Sequence, residues 1–275
     1  MGTSAFTARG WEGSFYPRGM KPADYLSFYA TKFNTVELDN TFYRTPALST
    51  VKGWYAKTPP GFLFAAKVPQ VVTHEKVLVD CDQEFSAFLK TMDALGEKLG
   101  PLLLQFGYFN SSEFKNGGEF LARLEPFLEK LPKGYKFAVE IRNKAWLEER
   151  FVDVLRQHDV ALALIDQGWM PRPWEMKNQL DLITADFTYV RWLGDRKGIE
   201  ETTTTWDKVI VDRQGDLFEW VKLLKKVHER RIMILAFANN HYAGHGPATI
   251  ELFRHLWGDT GLQTGAARQI SMFDP

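Results

Sequence analysis

Short apolar runs rich in β-formers alternate along this chain with longer stretches in which apolar side chains return every three or four residues. A brief apolar run bounded by turn residues reads as a buried strand, and the 3.6-residue period as an amphipathic helix. The pattern predicts strands over residues 2–6, 34–38, 62–67, 101–106, 136–141, 161–165, 187–192 and 232–237. Helices are predicted over 22–32, 48–57, 83–99, 119–131, 148–158, 216–230 and 247–257. In the helix over 83–99, Phe85, Phe88, Leu89, Met92 and Leu95 fall on one face. The stretch 169–186 is Pro-rich at its start and has room for only a short helix, so the connection between strands six and seven is irregular.

Eight strands alternating with helices match the count and size of an α/β (β/α)8 barrel, a TIM-like fold built as one domain over residues 1–275. An open doubly wound sheet is the alternative. No G-x-G-x-x-G or G-x-x-x-x-G-K-[ST] turn follows any strand, so no nucleotide cofactor is expected and the barrel is preferred.

Composition narrows the function classes. The 275 residues carry 34 basic and 34 acidic side chains, so the strongly basic footprint of a dedicated nucleic-acid binder is missing. A local basic groove remains compatible with that balance. Cys81 stands alone, which excludes an intramolecular disulfide and suits a reducing, cytoplasmic setting. Neither a secretory leader nor about 18 uninterrupted apolar residues is present, so no membrane partner is expected. Carboxylates beside Cys81, in Asp80-Cys81-Asp82, raise a thiol pKa and argue against a nucleophile.

In a barrel, side chains alternate between lumen and helix layer, and the chemistry gathers at the C-terminal strand ends. On the fifth strand Phe137, Val139 and Ile141 form the bulky apolar face that packs on helices, which turns Ala138, Glu140 and Arg142 into the lumen. Lys67, Tyr189 with Arg191, and Glu37 interrupt their strands in the same way, and Gln105, Asp166 and Asn239 close the fourth, sixth and eighth. Self-satisfied ion pairs, Lys67 with Glu140 or Arg142 with Asp166, are the structural alternative. His241 and His245 have a spacing that suits zinc on a helix, but Gly244 and Gly246 place them in a loop. Gly246-Pro247 opens a helix whose free N–H groups would make an anion site.

The motifs Gly2-Thr3-Ser4, Trp11-Glu12-Gly13-Ser14-Phe15-Tyr16-Pro17, Phe33-Asn34-Thr35-Val36-Glu37-Leu38 and Thr41-Phe42-Tyr43-Arg44 resemble the YecE-like family, domain of unknown function 72. The resemblance continues through Phe64-Ala65-Ala66-Lys67, Thr73-His74, Gly100-Pro101, Gln105-Phe106, Ala138-Val139-Glu140-Ile141-Arg142, Trp146, Tyr189-Val190-Arg191 and Asn239-Asn240, so it covers essentially the whole chain. It implies a TIM-like barrel related in shape to sugar-isomerase and endonuclease barrels, in a family without an established activity. Ala5-Phe6 stands where the family commonly continues with Gly-Trp, which passes any aromatic role there to Phe6 or Trp11.

The residues point first to an enzyme acting on a small polar anionic metabolite, sugar-phosphate-like, by acid/base chemistry at the barrel rim, in the isomerase, lyase or hydrolase class. Glu140 is the expected general base, His74 or Glu37 its acid partner, Lys67 an electrostatic stabiliser and Asp166 a further carboxylate. Arg142 and Arg191 form the anion clamp, with Asn40, Gln105, Tyr189, Asn239, Asn240, Trp146 and Trp169 as further substrate-binding candidates. A divalent cation held by Glu37, His74, Glu140 and Asp166 is the second expectation and would suit an isomerase or a phosphodiester hydrolase acting on nucleic acid. The third is a non-catalytic binding protein on an enzyme-like scaffold.

Overall fold

A computed structural model describes residues 1–176 and 180–259. The apolar runs form β1 (Gly2–Thr3), β2 (Thr35–Leu38), β3 (Leu63–Lys67), β4 (Leu99–Gln105), β5 (Phe137–Glu140), β6 (Ala161–Gln167), β7 (Phe187–Gly194) and β8 (Met233–Ala238). All ladders are parallel, in the order β1-β8-β7-β6-β5-β4-β3-β2, so from β2 to β8 each strand pairs with its sequence neighbour and β8 returns to β1. This is a nearly closed TIM-like barrel. Its seam lies between β1 and β2, the two ends of the ladder order.

The helices are α1 (Tyr25–Tyr29), α2 (Leu48–Ala56), α3 (Asp82–Met92), α4 (Gly117–Glu129), α5 (Glu149–Gln157), α6 (Pro173–Met176), α7 (Arg196–Glu200), α8 (Gln214–Glu229), α9 (Asn240–Ala243) and α10 (Gly246–Asp259). Tyr29 of α1 closes the seam. Its hydroxyl accepts from the backbone N–H of Thr3 at 2.8 Å and donates to the carbonyl of Thr35 at 3.1 Å, replacing a ladder bond that the splayed strands cannot make. Gly2 permits the close approach, since a Cβ there would lie 1.9 Å from the Thr35 carbonyl oxygen.

Two expectations shift for local reasons. β1 ends at Thr3 rather than at residue 6, and the Thr3 hydroxyl donates to the Ala5 carbonyl across the bend that follows. α3 stops at Met92, and a 3-10 turn, Asp93–Lys98, carries Gly96 at φ 49° into β4, which therefore starts at Leu99.

The lumen core holds small side chains on one side, Ala65, Ala138, Ala161 and Ala163, against Phe187, Tyr189, Leu235 and Phe237 on β7 and β8. Small facing large fills a narrow barrel without voids. The opposite strand faces, including Phe64, Leu104, Val139, Leu164, Val190 and Trp192, pack beneath the helices. No helix among the described residues is long and apolar enough to cross a membrane.

Candidate functional site

Above the lumen core, the same alternation brings charged groups inward. Arg191, two residues beyond Tyr189 on β7, is 1% exposed and reaches across to β2 and β5. Its Nε and Nη2 donate to Glu37 at 2.9 and 2.7 Å, and its Nη1 donates to Glu140 at 2.6 Å. Tyr189 donates its hydroxyl to Glu37 Oε2 at 2.6 Å. Both carboxylates are fully buried, so the guanidinium is the group that keeps them charged. Burial alone would raise their pKa values, but the attraction of Arg191 outweighs it: Glu37 is held below the usual carboxylate range and Glu140 is lowered to about 2.

Nearer the mouth lies a second, more open tier. Arg142 donates through Nε to Glu140 at 3.0 Å, and its side chain is 23% exposed. Neither of its terminal nitrogens has a protein acceptor among the described residues. Lys67 pairs with Asp39 at 2.7 Å, and Asp39 lies 3.6 Å from Arg191. Asp39 differs from the two buried glutamates. Desolvation, with repulsion from Glu37 added, raises its pKa despite Lys67, while 30% of its side chain remains exposed. Thr41 fixes this corner by donating to the carbonyls of Leu38 and Lys67.

His74 stands beside this tier on a single π-helical turn, Val71–Glu75, after β3. Its ring packs edge-on against Phe42 with centroids 5.0 Å apart, and Nδ1 shares a hydrogen bond with the Thr73 hydroxyl. Burial, then the charges of Arg142 and Lys67, lower its pKa, so the ring is neutral at pH 7. The chain then passes Val77, Leu78 and Asp80, all at positive φ, a run of strained residues of the kind that persists when its surroundings fix it.

Other expected residues lie elsewhere. Asp166 points into the helix layer, not the lumen, where it accepts from Trp220 Nε1 at 2.8 Å and the Tyr242 hydroxyl at 3.0 Å and pairs with Arg172. The lumen face of β6 belongs to Ala161, Ala163 and Ile165. The anticipated pairs Lys67 with Glu140 and Arg142 with Asp166 are replaced by Lys67 with Asp39 and Arg142 with Glu140. Trp146 is buried against Phe109 and Phe120, away from the mouth, whereas Trp169 is 51% exposed on the rim. Gln105 pairs in register with Glu140 and is nearly buried, and Asn40 is exposed in the turn after β2.

Asn239 and Asn240 serve the backbone. Asn239 caps α9 by accepting from the His241 N–H, and Asn240 accepts from Gly246 N and Trp11 Nε1. The start of α10 is therefore not an open anion site. Gly246 N is taken by Asn240, Pro247 has no N–H, Ala248 N donates to the ring of His245 and Thr249 N to its carbonyl. His241 instead contacts Glu200 at 2.9 Å.

The structure adds Asp39 and Arg172 to the residues expected from sequence. Asp39 follows Glu37 by two positions, the same step that relates Arg142 to Glu140, so the parity argument applied to β5 would have selected it on β2. Glu37, His74, Glu140 and Asp166 do not converge as a ligand set: Asp166 faces outward and the glutamate oxygens already accept from arginine. Among the described residues no group of three or more His, Cys, Asp or Glu side chains is placed to hold a metal ion.

Known proteins resemble this chain in sequence and in shape. A family model described as protein of unknown function DUF72 matches residues 1–270. The chain is 27% identical to the UPF0759 protein YunF of Bacillus subtilis over 290 residues, covering 96% of this chain and 98% of YunF. It is 33% identical to the UPF0759 protein YecE of Escherichia coli over 118 residues, a stretch that spans 43% of this chain and 41% of YecE. A DUF72 family protein from Thermotoga maritima superposes with a TM-score of 0.71 at 26% identity, over 94% of this chain and 98% of that one. One from Enterococcus faecalis, at 19% identity and a TM-score of 0.65 over 85% and 93% of the two chains, shares the fold.

Proposed function

The chain belongs to the DUF72 family, which is defined without an assigned function, and we propose that it is an enzyme that binds a small anionic metabolite at the C-terminal mouth of its barrel and moves a proton on it. The observation that carries this reading is the state of Arg142. One edge of its guanidinium is anchored on Glu140 and the rest is left without a protein partner among the described residues, beside the partly open Lys67. An anchored fork with unused N–H groups suits a phosphate or carboxylate, which it grips at two points.

The proton-transfer role falls to Asp39 rather than Glu140. Glu140 accepts from two arginines and is lowered to about 2, which makes it a weak base and a good electrostatic floor. Asp39 is partly open and its pKa is raised, as suits a group that must both take and return a proton. In this scheme the Asp39 carboxylate removes a proton from the carbon next to a carbonyl. Lys67 stabilises the resulting enediolate while Arg142 holds the substrate's anionic group, and the proton is returned to the neighbouring carbon. Neutral His74, beside Phe42 at the edge of this tier, is the residue assigned to relay a proton between oxygens.

Incubation with pentose and hexose monophosphates in D2O tests the scheme. Carbon-bound deuterium should appear in one of them with the wild type and not with Asp39→Asn. Anion binding by calorimetry without exchange or turnover on any member would instead support a non-catalytic binding protein.

A further inference from the structure

We infer that the mouth has a second compartment, walled by Trp169, that takes the ring of a sugar, so that the anion of this site is carried by a phosphorylated sugar. The inference rests on the anion-binding reading above. While Trp11, Trp192 and Trp220 are buried, Trp169 lies just beyond the end of β6 and is 51% exposed. It faces a cavity of about 460 Å³ whose remaining walls are Asp195, Arg196, Lys197, Glu200 and Glu201 from the segment after β7. The depression is open to solvent, which leaves one face of a bound ring in water. β5, β6 and β7 are adjacent, so Arg142, Trp169 and this wall follow one another around the rim.

The lining selects the chemistry. One flat aromatic face opposite exposed hydrogen-bonding charges, of which Glu200 is held by Arg196 and His241, suits a ligand that is apolar on one side and hydroxylated at its edge, which describes a pyranose or furanose. Three carboxylates against two cations would repel a second phosphate, so the compartment fits the neutral part of the ligand and leaves the anion to Arg142. Glu200 is held as an acceptor by Arg196 and His241, each at 2.9 Å.

Titration calorimetry with inorganic phosphate, with a panel of pentose and hexose monophosphates and with the same sugars unphosphorylated separates the two ideas. At least one sugar phosphate should bind about tenfold or more tightly than inorganic phosphate. Trp169→Ala should erase that advantage while leaving phosphate affinity within about twofold, and Trp169→Phe should retain most of it. Phosphate binding without a sugar advantage, or an advantage that Trp169→Ala leaves intact, would overturn the compartment and spare the anion clamp. If no phosphate-bearing probe binds, the anion reading fails and the compartment fails with it.

Discussion

Arg191 meets Glu37 edge-on inside the barrel, two nitrogens of one guanidinium against one carboxylate, with 1% and 0% of the side chains exposed. Its remaining nitrogen holds Glu140 on the far side, so one side chain ties β7 to β2 and β5. Arg191→Ala should therefore leave two buried carboxylates without their main counter-charge and cost about 3–5 kcal/mol of stability by denaturant unfolding. A change below about 1 kcal/mol would mean that water or rearrangement satisfies the glutamates.

Glu140 and Asp39 should separate structure from chemistry. Glu140→Gln removes a charge that two arginines neutralise and should lower the melting temperature strongly. Asp39→Asn alters a partly open group whose ionisation the site resists, so its melting at pH 7 should stay close to wild type while turnover is lost. The reverse pattern would return the proton-transfer role to Glu140.

The two carboxyls also predict opposite pH dependences. The folded-state pKa of Glu140 is lowered from 4.5 to about 2, so its contribution is present above pH 4.5 and disappears as the pH falls toward 2. The shift corresponds to about 3 kcal/mol, and acid unfolding of Glu140→Gln should lack that share of the slope. Asp39 is raised, so its contribution is complete below its ordinary pKa of 3.8 and is lost as the pH rises through its folded value. Paired acid melts of the two variants check both signs.

Tyr29→Phe should open the seam. The phenol oxygen links Thr3 to Thr35, and its loss leaves the Thr3 N–H and the Thr35 carbonyl without that partner. A cost of about 1–3 kcal/mol is expected, with faster amide exchange at Thr3. Unchanged exchange would show that β1 is held by β8 alone.

Much of the barrel was legible because polar residues interrupt apolar strands at their C-terminal ends, as Lys67, Glu140 and Arg191 do. β6 misled because Ala161 to Ile165 is apolar on both faces, so hydrophobic alternation offers no guide to Asp166. Side-chain size does: the lumen takes Ala161 and Ala163, and Asp166 shares the outward face of Leu162 and Leu164. The partners of each charge were not legible, since Asp39–Lys67 and Asp166–Arg172 depend on how far each loop climbs beyond its strand. The capping of α10 by Asn240 and His245 likewise needs the fold of the turn between them.

The proposed function stands on Arg142, anchored on Glu140 with its terminal nitrogens free of protein acceptors among the described residues, acting as an anion clamp. The most direct measurement is an anomalous difference map from crystals soaked in selenate, with Arg142→Ala crystals treated in parallel. The expected result is a selenium peak within hydrogen-bond reach of the Arg142 terminal nitrogens that vanishes in the variant. A mouth with no peak in the wild type, or a peak there that survives loss of Arg142, would contradict it.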